Sequence, residues 1–89
     1  MIVKNITIIN KLGMHARAAA KFVSLASSFV SEIELGKGNR KVNGKSIMGV
    51  MMLAASRGST VTLYVNGNDE QAAASELEQL INQRFGEDN

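Results

Sequence analysis

The chain has 89 residues, of which 45% are hydrophobic, and its ten basic and eight acidic side chains give a net charge of +2 at pH 7. This length predicts one domain, residues 1–89, with a single hydrophobic core. Because cysteine is absent, disulfides, thiolate metal sites and a cysteine nucleophile are excluded. The sequence shows no signal peptide and no apolar run of the roughly 20 residues that span a membrane, so we expect a cytoplasmic protein without membrane insertion.

The charges are unevenly distributed. Residues 1–60 carry nine basic and two acidic side chains, whereas residues 61–89 carry one basic and six acidic side chains. This asymmetry favours an acidic partner on one face, although a solvated surface with an acidic C-terminal helix explains it equally well.

Residue patterns predict elements in the order β-α-β-β-α-β-α. β-branched or alternating residues indicate the strands, and apolar residues at i, i+3, i+4 and i+7 indicate the helices. The predicted elements are a strand at 3–9, a helix at 16–28, strands at 31–35 and 40–42, a helix at 47–54, a strand at 60–65 and a helix at 70–85.

The amphipathic helices and half-polar strands define the expected fold class. We expect an α+β open-faced two-layer β-sandwich, with four mostly antiparallel strands and three helices on one face. The residues expected to face the core are Ile33 and Leu35 in the second strand, Ala19, Phe22, Val23 and Ala26 in the first helix, and Ala73, Leu77, Leu80 and Ile81 in the last helix.

The only histidine, His15, follows a turn that ends at Gly13 and precedes an alanine-rich helix. At this N-cap position the free N–H groups of the first helical turn and the positive end of the helix dipole attract anions. Arg17 can add a forked cation to the same place. A lone histidine is more often structural than catalytic, but an imidazole, an arginine and free amides together suit a phosphoryl group. Neither a second histidine nor a carboxylate lies near His15 in the sequence, so we expect no hydrolytic triad, metal site or cofactor.

Two segments carry a family resemblance. Residues 10–17, NKLGMHAR, resemble the active-site signature of the HPr family, the histidine-containing phosphocarriers of the bacterial phosphoenolpyruvate-dependent phosphotransferase system. Residues 42–51, VNGKSIMGVM, are similar to the second signature of that family, which contains a regulatory serine. The two signatures have the usual separation, so the resemblance covers essentially the whole chain.

The resemblance implies a phosphocarrier rather than a turnover enzyme. His15 would accept a phosphoryl group on Nδ1 from Enzyme I and pass it to enzyme II A-domains in sugar uptake or its regulation. Ala16, Arg17 and Ala18 would bind the phosphoryl group. The family commonly has proline where this chain has Ala18, and this departure leaves open the choice between the sugar-system and nitrogen-system branches.

Ser46 has two compatible interpretations. It can cap the second predicted helix, which contributes about 1 kcal/mol. The resemblance also implies regulatory phosphorylation there, and whether an HPr kinase/phosphorylase serves this chain stays open.

The apolar residues around the second predicted helix also have two interpretations. Such residues are usually core in a small chain, but the resemblance implies an exposed patch that binds partners. We expect Ile47 or Met48 to be exposed. The expected partner interface comprises Ala20, Ile47, Met48 and Met51.

Two other functions stay open. A nucleic-acid binder is suggested by Lys37, Arg40, Lys41, Lys45 and Arg57, but four aromatic residues provide no stacking platform. A regulatory relative that carries no phosphate is disfavoured by the intact His15 and Arg17. A P-loop is excluded because five residues, where four are needed, separate Gly38 from Gly44. We therefore expect a monomeric phosphocarrier that binds no nucleic acid.

Overall fold

A computed structural model of the protein describes residues 1–88, and their strands and helices follow the predicted order. The elements are β1 (Ile2–Thr7), α1 (Ala16–Ser27), β2 (Glu32–Lys37), β3 (Arg40–Asn43), α2 (Ile47–Met52), β4 (Thr60–Asn66) and α3 (Glu70–Asn82), and a short 3-10 turn at Arg84–Gly86 follows α3.

The four strands form one antiparallel sheet in the order β1-β4-β2-β3. The α3 helix packs on β1 and β4, and α1 packs against α2 and α3, so the helices form a second layer. The opposite face of the sheet is open to solvent: Val3 is exposed there, and the Lys41 ammonium lies 4.1 Å from the centre of the Tyr64 ring. The predicted open-faced sandwich is confirmed.

The core lies between the sheet and the helix layer. Ala18 and Ala19 of α1 are fully buried in this core. The predicted inward-facing residues of β2, α1 and α3 are buried, with the exception of Leu80, which is half-buried. Burial of each large apolar side chain contributes about 1.5–3 kcal/mol, so this face holds the layers together.

The predicted strand ends differ from the observed ones, by two residues at the ends of β1 and β2. The strand predicted at 3–9 ends at Thr7, because Ile8 bonds to the turn at Gly58 and Ser59 rather than to β4. The strand predicted at 31–35 stops too early, because Gly36 still pairs with β3 and β4 and belongs to β2. Its lack of a side chain leaves room for the neighbouring tyrosine ring on the open face.

The predicted helix ends are also too long. The α1 helix ends at Ser27 and α2 at Met52. Beyond α2, Ala54 has a left-handed backbone with φ of 50°. A right-handed helix cannot continue through this conformation. The α3 helix ends at Asn82 rather than at position 85, because the chain turns sharply after Gln83.

Candidate functional site

His15 is the N-cap residue of α1, as the sequence predicted. Its backbone is extended, and its carbonyl accepts the first helical hydrogen bond from the Ala19 N–H at 2.8 Å. Within residues 1–88, its side chain makes no capping hydrogen bond. The N–H groups of Ala16, Arg17 and Ala18, which precede that first bond, therefore remain available at the positive end of the helix.

The loop before His15 is held tightly against the segment that follows α2. The Met14 N–H donates to the Ala55 carbonyl at 2.8 Å, and a Cβ at Gly13 would lie 2.6 Å from the same oxygen. Gly13 also has φ of 67°, a left-handed conformation that favours glycine. The fully buried Asn10 donates from Nδ2 to the Gly13 carbonyl at 2.8 Å. These contacts fix the backbone of the loop that places His15 at the start of α1.

A carboxylate that the sequence did not predict lies against His15. Glu87 Oε2 contacts His15 Nε2, and Glu87 Oε1 accepts a hydrogen bond from Asn10 Nδ2 at 2.9 Å. No carboxylate lies near His15 in the sequence, but the fold brings this one into contact with it. Seventy-two positions separate the two residues, and no residue spacing signals the pair.

The surroundings of Glu87 favour its ionised form. Burial raises the pKa of this carboxyl group, but hydrogen bonds from Asn10 and His15 and the positive charges of His15 and Lys21 outweigh burial. The pKa of Glu87 therefore lies below its usual value.

An open cleft beside His15 carries more positive than negative side chains. Its lining includes the cations Lys11, Arg17 and Lys21 and the carboxylates Glu87 and Asp88. Arg17 is exposed, so its guanidinium is free to meet a group that approaches the N-terminus of α1. The combination of cations and unpaired helix amides suits an anionic, phosphate-sized ligand.

Ser46 caps α2. Its Oγ accepts a hydrogen bond from the Gly49 N–H at 3.1 Å, and its carbonyl accepts one from the Val50 N–H at 3.0 Å. The half-buried hydroxyl still lies at the protein surface beside exposed apolar residues. The predicted capping role is confirmed, and its regulatory role stays a prediction.

The apolar residues predicted for the interface are exposed. Ile47 is 44%, Met48 70% and Met51 39% exposed, and Ala20 on α1 is exposed as well. In α2 only Val50 is buried, because a six-residue helix can bury little of its surface. Leu12, which lines the cleft beside His15, and Met52, at the end of α2, are also exposed. We call the predicted interface residues Ala20, Ile47, Met48 and Met51 the apolar patch.

Other classes of site are not apparent in the described chain. Residues 1–88 contain no group of three or more histidine, aspartate or glutamate side chains placed to hold a metal ion. None of the described helices has the length and apolar character needed to cross a membrane.

Comparison with known proteins places these features in one family. Residues 2–83 match the family described as "PTS HPr component phosphorylation site". The chain is 58% identical over 87 residues to the phosphocarrier protein HPr of Cupriavidus necator, which covers 98% of each chain.

Two solved structures from Thermoanaerobacter tengcongensis are similar to this chain. HPr-C-His has a TM-score of 0.96 and 49% identity over all of both chains. The HPr dimer has a TM-score of 0.79 and 52% identity, over 92% of this chain and 94% of the other.

Proposed function

The chain belongs to the HPr family of phosphocarrier proteins of the phosphotransferase system, and from this premise we propose that His15 is its phosphoryl acceptor. In this proposal His15 takes the phosphoryl group from Enzyme I and passes it to enzyme II A-domains, in sugar uptake or its regulation. The chain is then an intermediate that is regenerated by transfer, rather than a turnover enzyme.

One observation carries the proposal: the side chain of His15 stands at a helix N-terminus whose first N–H groups have no side-chain cap within residues 1–88. Phosphoryl transfer requires mainly positioning and stabilisation of charge on the phosphoryl oxygens. The backbone N–H groups of Ala16, Arg17 and Ala18 and the Arg17 guanidinium supply both. Ala18 contributes only its backbone, because its side chain is fully buried, and alanine, unlike the family's usual proline, retains the N–H donor.

The transfer itself needs one lone pair on the ring. The Nδ1 lone pair forms the bond to phosphorus, and the bond between phosphorus and the donor breaks, with its electron pair leaving on the donor. Transfer to the acceptor reverses this, since the acceptor's lone pair forms the new bond and the N–P electron pair returns to Nδ1. No further reactant is needed.

The apolar patch is proposed as the docking surface for these partners. Its exposed methionines can adapt to several different surfaces, and the basic residues around the site complement an acidic partner. The proposal also includes a cytoplasmic, monomeric chain. A relative that forms a dimer makes the oligomeric state worth measuring by size-exclusion chromatography with light scattering.

Ser46 is proposed as a regulatory phosphorylation site for an HPr kinase/phosphorylase. The hydroxyl already accepts a helix N–H, and this end of a helix accommodates negative charge. A phosphate there would lie beside Ile47 and Met48. Its negative charge would repel an acidic partner, and its hydration water would have to be removed when the partner docks.

The test of the phosphocarrier function is incubation with Enzyme I, phosphoenolpyruvate and Mg²⁺, followed by intact-mass measurement. We expect a gain of about 80 Da, the mass of one added phosphoryl group, that is lost in acid. His15→Ala should show no gain. A label that persists in His15→Ala, or a wild-type chain that takes up none, would contradict the proposal.

A further inference from the structure

After α3 the chain turns sharply back toward His15. Arg84, Phe85 and Gly86 have φ values of 58°, 55° and 78°, so three consecutive residues adopt left-handed backbone. Such a conformation is costly for arginine and phenylalanine and persists only where surrounding contacts enforce it. Two contacts do so: the Phe85 side chain is fully buried, and Lys21 Nζ donates to the Phe85 carbonyl at 2.7 Å.

This turn places the Glu87 carboxylate against two polar side chains. Glu87 Oε2 meets His15 Nε2, while Glu87 Oε1 accepts from the buried Asn10 amide. The same Asn10 nitrogen donates to the Gly13 carbonyl. A single buried side chain therefore ties the carboxylate to the loop that carries the histidine.

We propose that Glu87 is a positioning residue that accepts a hydrogen bond from the Nε2–H group of His15, and so leaves the Nδ1 lone pair free to take the phosphoryl group. An ionised carboxylate has no proton to donate, so its contact with Nε2 requires the proton to lie on that nitrogen. This inference rests on the proposed phosphocarrier function and adds the residue that sets the reactive nitrogen.

The proton balance of the transfer follows from this contact. Nδ1 forms its bond to phosphorus with its own lone pair, while Nε2 keeps its proton throughout. The adjacent carboxylate stabilises the positive charge that the ring gains when Nδ1 bonds phosphorus, as a carboxylate does for histidine in other transfer sites. Returning the N–P electron pair to Nδ1 then restores a neutral ring.

Other charged groups also face this ring. Lys11, Arg17 and Lys21 line the cleft with positive charge, and Asp88 adds a negative one. Glu76 is exposed on α3 and lies outside this cleft, so Glu76→Gln is a matched control that removes one negative charge by the same substitution and leaves the contact to Nε2 intact.

The experiment uses the full chain as wild type, Glu87→Gln and Glu76→Gln. Nitrogen-15 NMR of the unphosphorylated proteins, at a pH high enough for a neutral ring, reports which ring nitrogen carries the proton. Wild type and Glu76→Gln should hold the proton on Nε2, whereas Glu87→Gln should show a mixture, because its amide can either donate or accept. The rate of phosphoryl uptake should fall about tenfold in Glu87→Gln, in line with other residues that orient a reactive histidine, and less than twofold in Glu76→Gln.

Two results would overturn the proposal. One is an unchanged proton position in Glu87→Gln, and the other is an equal loss of rate in both variants, which would indicate an effect of net charge alone. Failure of the wild-type chain to take up phosphate would refute the proposed function instead, while the NMR measurement would still decide whether Glu87 orients His15.

Discussion

The segments that lead into α1 and α2 have the same local structure, but their cap residues are used differently. Each helix follows a Gly-x-cap segment, Gly13-Met14-His15 before α1 and Gly44-Lys45-Ser46 before α2. Each segment is fastened by a backbone bond of 2.8 Å, from the Met14 N–H to Ala55 and from the Gly44 N–H to Ile33. Both glycines lie close to other atoms: a Cβ on either would come within 2.6 Å of a neighbour.

The difference lies in how the cap residue is used. Ser46 turns its oxygen onto the Gly49 N–H and completes the end of α2 by itself. His15 leaves the N–H groups of α1 without a side-chain cap in residues 1–88, and its ring is held by Glu87 from the far end of the chain. A helix end that is kept free for a ligand gives up a local stabilising contact, and its reactive side chain then needs support from a distant element.

The largest effect is expected where the α1 entry is tightest. Gly13→Ala would force a side chain into a left-handed conformation and against the Ala55 carbonyl, at a cost of about 2–4 kcal/mol. Gly38→Ala is the matched control, because Gly38 has φ of 62° and no atom within 4 Å of a Cβ. It should cost about 1–2 kcal/mol. Urea denaturation of both variants measures the two free energies of unfolding, and equal losses would show that the close approach at Gly13 is unimportant.

Arg17→Ala should affect transfer rather than folding. Loss of the guanidinium should slow phosphoryl uptake from Enzyme I tenfold or more, or about 1.4 kcal/mol of barrier, because the phosphoryl oxygens lose a forked donor. The free energy of unfolding should hardly change, since exposed charges contribute little. Lys41→Ala, which removes a cation from the open face of the sheet, should transfer normally. A normal rate of transfer in Arg17→Ala would show that Arg17 does not bind the phosphoryl group.

Ser46→Ala should destabilise the protein by about 1 kcal/mol, because the Gly49 N–H loses its acceptor. Ser46→Asp should avoid this loss, since aspartate is an equally good N-cap. Urea denaturation compares the three proteins. A stability of Ser46→Ala equal to that of wild type would mean that α2 does not depend on its cap.

Ser46→Asp should instead slow phosphoryl uptake severalfold at low salt, because its charge lies beside the apolar patch and repels an acidic partner. The loss should shrink as ionic strength rises and screens the charges. Initial rates at two salt concentrations, with Ser46→Thr as the uncharged control, measure the effect. A wild-type rate at low salt would leave Ser46 as a helix cap alone.

Local patterns accounted for most of the fold and for the positions of His15, Arg17 and Ser46 at the starts of two helices. Strand alternation and helical periodicity identified the elements and their buried faces, because burial on one side imposes a repeat on the sequence. The N-cap positions of His15 and Ser46 followed from short segments, since capping involves residues only three or four positions apart. Arg17 is likewise adjacent to His15 in sequence.

The element ends were less predictable because they depend on contacts outside each element. Gly36 reads as a turn residue, yet pairing on both sides keeps it in β2. The apolar periodicity of α3 continues to Phe85. The Phe85 side chain is buried, however, by a left-handed turn instead of another turn of α3.

The sequence by itself determined the order of the elements, the buried faces and a histidine at a helix N-terminus beside an arginine, all of which are encoded within a few neighbouring residues. Only the tertiary structure decided that Glu87 lies against His15, and it decided between the two interpretations of the apolar residues of α2 in favour of exposure. The first depends on a contact across 72 positions, closed by the burial of Phe85 and the Asn10 amide. The second depends on how much of a short helix its neighbours can cover, and neither quantity is present in a local residue pattern.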